Sequence, residues 1–164
     1  MRLLLCTLIL CGSFQPVAAN EFTLNDLIVT SPLASATRPT ANAAAGYMVI
    51  TNNGAAPDRL VAVEAPFRRI EIHTVIREND VAKMVPLDGI EIAPGESITL
   101  APGKEHVMFM GLGGDPLEVG ETVPATLMFE NAGALALTFD VQPRDAIVAQ
   151  FSQGEHDDTE SHNH

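Results

Sequence analysis

Cysteine is scarce in this chain, and where it falls matters more than how little there is. The only two, Cys6 and Cys11, lie within the first nineteen residues, a stretch with the marks of an export signal. Arg2 supplies the positive start, Leu3 to Cys11 a short apolar run, and Val17-Ala18-Ala19 the small residues of a cleavage site. With the cut placed after Ala19, the exported part carries no thiol. A disulfide framework is excluded, and so is a blue-copper electron-transfer centre, which needs a thiolate ligand. Cys11 stands where a bacterial lipoprotein signal would carry a cysteine, but Leu10 is bulkier than the small residue expected before it, which favours cleavage after Ala19.

Long apolar runs are missing too. Leu3 to Cys11 is far short of the roughly 20 residues that a spanning helix needs, and no later segment comes closer, so no stable membrane insertion is expected. Cations are few: nine Lys and Arg stand against 21 Asp and Glu, for a formal net charge of −12, and loss of Arg2 with the signal makes it −13. Such a chain is repelled by nucleic acid and by anionic membrane surfaces. There is no Gly-x-Ser-x-Gly elbow, and His73 and His106 lack an evident nucleophile partner, so the sequence does not read as an enzyme.

What is present is a succession of short strands. The 164 residues suit one domain. From Asn20 to about Arg144, apolar or alternating runs are separated by turn residues, the pattern of an all-β sandwich or barrel. Candidate strands are Leu27 to Ser31, Ala45 to Asn52, Arg59 to Ala65, Arg69 to Ile76, Ala82 to Val85, Ser97 to Leu100, Val107 to Leu112, Val123 to Glu130 and Ala134 to Val141. Between them lie Asn52-Asn53-Gly54, Pro94-Gly95, Pro102-Gly103 and Asn131-Ala132-Gly133, which take turn geometry easily. The Ala-rich piece from Ala34 to Ala45, with Pro39 inside it, is expected to be a surface loop, with a short helix as the alternative. The organisation is thus a signal over 1–19, a folded domain over 20–144, and a flexible acidic tail over 145–164.

Few histidines and methionines occupy the domain, and their positions carry the functional information. Ten residues separate His73 from Met84, twenty-one separate Met84 from His106, and one separates His106 from Met108. His106 and Met108, two apart on a strand, project from one face with Cα atoms about 6.5 Å apart. On its own strand His73 shares a face with Glu71 and Val75, opposite Ile70, Ile72 and Thr74. Two thioethers and two imidazoles are soft, uncharged donors that suit a monovalent d¹⁰ ion, and copper(I) fits them better than zinc or calcium. Taken singly, each of the four is more often core filling or a surface residue than a ligand. Met110 extends the alternation past Met108 and is read as a shield, while Met48 and Met128 are read as core.

The spacing resembles the motif of the periplasmic copper chaperone family PCu(A)C: His, ten residues, Met, twenty-one residues, His, one residue, Met. Flanking pieces are similar as well, among them Ala44-Ala45-Gly46-Tyr47-Met48-Val49-Ile50-Thr51-Asn52, Ile70-Glu71-Ile72-His73 and His106-Val107-Met108-Phe109-Met110-Gly111-Leu112. The similarity runs from about Leu27 to Val141. It implies a cupredoxin-like Greek-key β-sandwich that binds copper(I) through His73, Met84, His106 and Met108. It also implies a role in the periplasm, where such proteins hand the ion to a copper-accepting protein: an oxidase subunit, such as the copper centre of cytochrome c oxidase, or another chaperone. Many members have Met two residues after the first His; this chain has Val75 there. The tail residues His156, His162 and His164, with Asp157, Asp158 and Glu160 nearby, form a candidate copper(II) site, with a merely solvated acidic tail as the alternative. Storage or detoxification of copper and a metal-free structural sandwich are the competing readings.

Overall fold

The computed structural model describes residues 20–79 and 81–153. Eleven strands and one helix follow in order: β1 (Glu21–Leu24), β2 (Leu27–Ser35), β3 (Ala43–Asn52), β4 (Asp58–Glu64), β5 (Arg69–Glu78), β6 (Val81–Leu87), β7 (Ile90–Ile92), β8 (Ser97–Leu100), β9 (His106–Met110), β10 (Thr122–Phe129), β11 (Gly133–Gln142) and α1 (Arg144–Gln153). All nine strands expected from alternation are present. β10 buries Val123, Ala125, Leu127 and Phe129 while the residues between them face outward, and β11 does the same with Leu135, Leu137, Phe139 and Val141.

Hydrogen bonding links the strands in the order β6-β5-β9-β3-β2-β11-β10-β4-β7, with β1 added to β2 and β8 added to β3. Every pair is antiparallel except β11 with β2. The sheet folds over on itself. Along that order β9 and β11 are three strand spacings apart, about 14 Å if the sheet were flat, yet the rings of Phe109 and Phe139 meet edge to face with centroids 5.4 Å apart. The core lies between the two layers and includes Val29, Met48, Ile50, Leu60, Leu127 and Val141, none of them accessible. This is the expected cupredoxin-like β-sandwich.

Gly46 on β3 shows how close the packing is. A Cβ placed there would come within 2.8 Å of the Phe109 ring and 3.2 Å of the Phe139 ring, so only glycine lets both aromatics close over the strand.

Several details depart from expectation. β2 runs on to Ser35 and β3 begins at Ala43, so the surface loop is confined to 36–42. β1 and β7 are additional strands; β1 folds back on β2 through Asn25 and Asp26, with Asn25 at φ 52°. Met48 is core, but Met128 sits on the outward side of β10, out of phase with Leu127 and Phe129, and is only half-buried. The tail expected from 145 is helical as far as Gln153. Ile147 and Phe151, one helical turn apart, give this segment an apolar stripe that packs on Leu33 and Tyr47. Among the described residues no helix is long and apolar enough to cross a membrane.

Candidate metal centre

The register of three neighbouring strands decides where the four predicted ligands lie. β5 pairs with β9 so that His73 is opposite His106 and Glu71 is opposite Met108; β5 pairs with β6 so that Val75 is opposite Met84. Directly opposed residues share a face of a sheet, as do alternate residues along a strand. His73, Met84, His106 and Met108 therefore all project from one face. It is the outer face, since the intervening Ile72, Val107 and Phe109 are buried in the core.

The two histidines are cross-strand neighbours, with ring centroids 6.0 Å apart and planes inclined at 74°. His106 is 4 % exposed, and beside it Tyr47 lies with its ring centroid 6.4 Å away. Tyr47 in turn meets Phe151 of α1 at 6.1 Å. The helix thus closes one side of the site through two aromatic contacts. Met108 is half-buried. Met84, on the edge strand β6, is 61 % exposed and is the ligand candidate that solvent reaches most freely.

Comparisons with known proteins assign the chain to a family. The family model described as "Putative lipoprotein LpqE-like" matches residues 27–141. A curated relative from Leifsonia xyli subsp. xyli, "Putative lipoprotein Lxx21020", is 28% identical over 100 residues, and the match spans 60% of the length of each protein. Among solved structures, the apo PCuAC domain from PmoF1 is 30% identical with a TM-score of 0.65, covering 76% of this chain and 99% of that one. This chain belongs to the LpqE-like family and is a PCuAC protein. The copper-bound PCuAC domain from PmoF2 is 26% identical with a TM-score of 0.63, covering 76% of this chain and 98% of the domain. The copper(I) form of DR1885 from Deinococcus radiodurans is 30% identical with a TM-score of 0.54, covering 77% and 83%.

Around the four side chains, this PCuAC protein has polar partners that spacing alone did not reveal. His106 Nδ1 lies 2.9 Å from the carbonyl oxygen of Lys104. His73 Nε2 lies 2.7 Å from Oε2 of Glu71, whose other oxygen accepts a 2.6 Å hydrogen bond from Nε of Arg69. The hydrogen bond to His73, followed by that to Arg69, holds the Glu71 carboxyl below the usual carboxylate range. The remaining nitrogen of His73, Nδ1, is the single buried side-chain nitrogen or oxygen without a hydrogen-bond partner among the described residues. An orphaned buried nitrogen is costly and needs an occupant. Soft neutral donors on the same face as such a nitrogen fit a monovalent soft cation. Among the described residues no group of three or more His, Cys, Asp or Glu gathers to hold a metal ion, so a site here depends on the thioethers.

Met110 follows Met108 on the same face and pairs with Arg69 and Ala43. His156, His162 and His164 lie outside the described residues. Glu71 had a visible signal, since alternation alone puts it on the face of His73. The Lys104 carbonyl, two residues before His106, had none because residue type does not specify the turn geometry there, and the Tyr47–Phe151 cover had none because it depends on tertiary packing.

Proposed function

We propose that this PCuAC protein is a periplasmic copper(I) metallochaperone, a binding protein rather than an enzyme, with His73, Met84, His106 and Met108 as its ligands. The observation that carries the reading is the register. It puts two imidazoles and two thioethers from three strands on one face of the sheet, and the buried Nδ1 of His73 has no hydrogen-bond partner. Two related structures support copper as the ion: one PCuAC domain is copper-bound, and DR1885 holds copper(I). Four uncharged ligands add no negative charge to favour copper(II), so the site is suited to the reduced ion.

Delivery, rather than storage, is favoured by the exposure of Met84. A ligand on an open edge strand can be exchanged for one from an acceptor, whereas a storage site gains from being sealed. The acceptor proposed from the family is a copper-accepting protein such as the copper centre of cytochrome c oxidase. The tail histidines His156, His162 and His164 are proposed as a separate copper(II) site, tested by deleting Gln153 to His164 and counting bound copper(II).

The main test is anaerobic titration of the mature protein with copper(I) against a chromophoric chelator. One equivalent should bind, and X-ray absorption should report both nitrogen and sulfur neighbours. His106→Ala should weaken binding by at least tenfold, and an apo acceptor domain should draw the copper away. A wild-type protein that takes up no copper(I), or takes it up with oxygen neighbours alone, would leave a β-sandwich without this role.

A further inference from the structure

The two histidines of the site are held by opposite nitrogens. At His106, Nδ1 faces the Lys104 carbonyl at 2.9 Å. A carbonyl only accepts, so Nδ1 carries the hydrogen and Nε2 keeps its lone pair. At His73 the arrangement is reversed: Nε2 faces the Glu71 carboxylate at 2.7 Å. That carboxylate is held on its other oxygen by Arg69, through Nε at 2.6 Å and through a close contact from Nη2. An ionised carboxylate also only accepts, so Nε2 of His73 is the protonated nitrogen, and its Nδ1 is the one left buried and unpartnered.

We infer that copper(I) is held by Nδ1 of His73 and Nε2 of His106, and that Glu71, braced by Arg69, is the positioning residue that selects the first of these atoms. The inference rests on the copper(I) reading above and adds to it the donor atoms and a fifth functional side chain. A metal-bound imidazole ordinarily gives its other N–H to a carboxylate or carbonyl, which fixes its orientation and makes it a stronger donor. Both kinds of partner are present here, one on each histidine.

Glu71 itself is opposite Met108 on the ligand face, close enough by register to compete for the ion. Both of its oxygens are engaged, one by Arg69 and one by His73. The hard carboxylate is thereby kept as a support for the imidazole rather than a ligand, which preserves a donor set suited to a soft ion.

The test begins with the apo wild-type protein labelled with ¹⁵N at histidine and held near pH 8. Multiple-bond ¹H–¹⁵N spectra should show His73 protonated at Nε2 and His106 protonated at Nδ1. One equivalent of copper(I), added anaerobically with ascorbate, should then shift Nδ1 of His73 and Nε2 of His106. Glu71→Ala should let the two tautomers of His73 mix and weaken copper(I) binding by about 10- to 100-fold. Glu71→Gln, whose amide oxygen still accepts from Nε2, should restore the tautomer and most of the affinity. The inference falls if apo His73 carries its hydrogen on Nδ1, if copper perturbs Nε2 of His73 instead, or if Glu71→Ala changes neither tautomer nor affinity. A wild-type protein that binds no copper(I) at all would bring down the copper reading, and this inference with it.

Discussion

At the scale of single residues, the site and the core make different demands on neighbouring positions of the same strands. On β9, His106 and Met108 face outward while Val107 and Phe109 are fully buried, so function and stability alternate along the chain. Gly46 belongs to the second category. Its missing side chain is filled by the edges of two inaccessible rings, neither free to move aside. Gly46→Ala is expected to lower stability by about 1–3 kcal/mol through overpacking, with copper(I) affinity unchanged in the folded fraction. Urea unfolding checks it, and a midpoint equal to that of the wild type would show that the rings can yield. The four ligand candidates were legible in sequence because their spacing is a motif. Glu71 was legible only as a residue on the right face, since its bond to His73 depends on side-chain rotamers that alternation does not specify. Met128 was misplaced because an apolar run suggests burial, whereas its phase on β10 puts it on the outward side.

At the scale of elements, α1 contributes what the sequence disguised. Residues 144–153 have weak amphipathicity, and with the acidic character of the following residues they passed for the start of a tail. The signals that were there are Pro143 just before the helix, Asp145 in its first turn, and Ile147 and Phe151 one turn apart. The helix matters to the site because Phe151 covers Tyr47 and Tyr47 covers His106. Burial pushes the Tyr47 hydroxyl above its ordinary range, only partly opposed by the charge of Arg144. The fold favours the neutral phenol, so its stabilising effect is complete below the unfolded value near 10 and is lost as pH rises through the higher folded value. Tyr47 is the only tyrosine, and there is no tryptophan, so phenolate absorbance reports this one group. In the folded protein the midpoint of that absorbance rise should lie above the ordinary value near 10. Phe151→Ala should move that rise back toward 10 and destabilise the fold by about 1–2 kcal/mol, less than the ~3–5 of a fully buried phenylalanine. An ordinary titration in the wild type would mean that α1 does not seal this side. β7, missed at three residues, is short enough that alternation had too few positions to appear.

At the scale of the whole molecule, fold class followed from many short strands and frequent turns, but the sheet order did not, because it depends on long-range pairings. β11 joins β2 in parallel across more than a hundred residues, and His73 meets His106 only because β9 lies beside β5. The amino end of the fold bears on how the protein is held in its compartment. Asn20, the residue after the expected cut, is engaged: its carbonyl accepts from the Ser31 amide at 3.1 Å and its side chain donates to Asp140 at 2.6 Å. Cleavage after Ala19 would release a domain with almost no free leader. Modification at Cys11 would instead leave Gly12 to Ala19 as an eight-residue tether to a lipid. The family and the curated relative both carry lipoprotein descriptions, so the two outcomes should be separated directly. Leu10 before Cys11 favours the first. Expressed with its own signal in a bacterium, the mature protein is expected in the periplasmic extract, with an intact mass that begins at Asn20 and a detergent-free aqueous partition. A mass that begins at a lipid-modified Cys11, with partition into detergent, would overturn this and make the chaperone a tethered one, confined to acceptors within about 20 Å of the membrane plus its own radius.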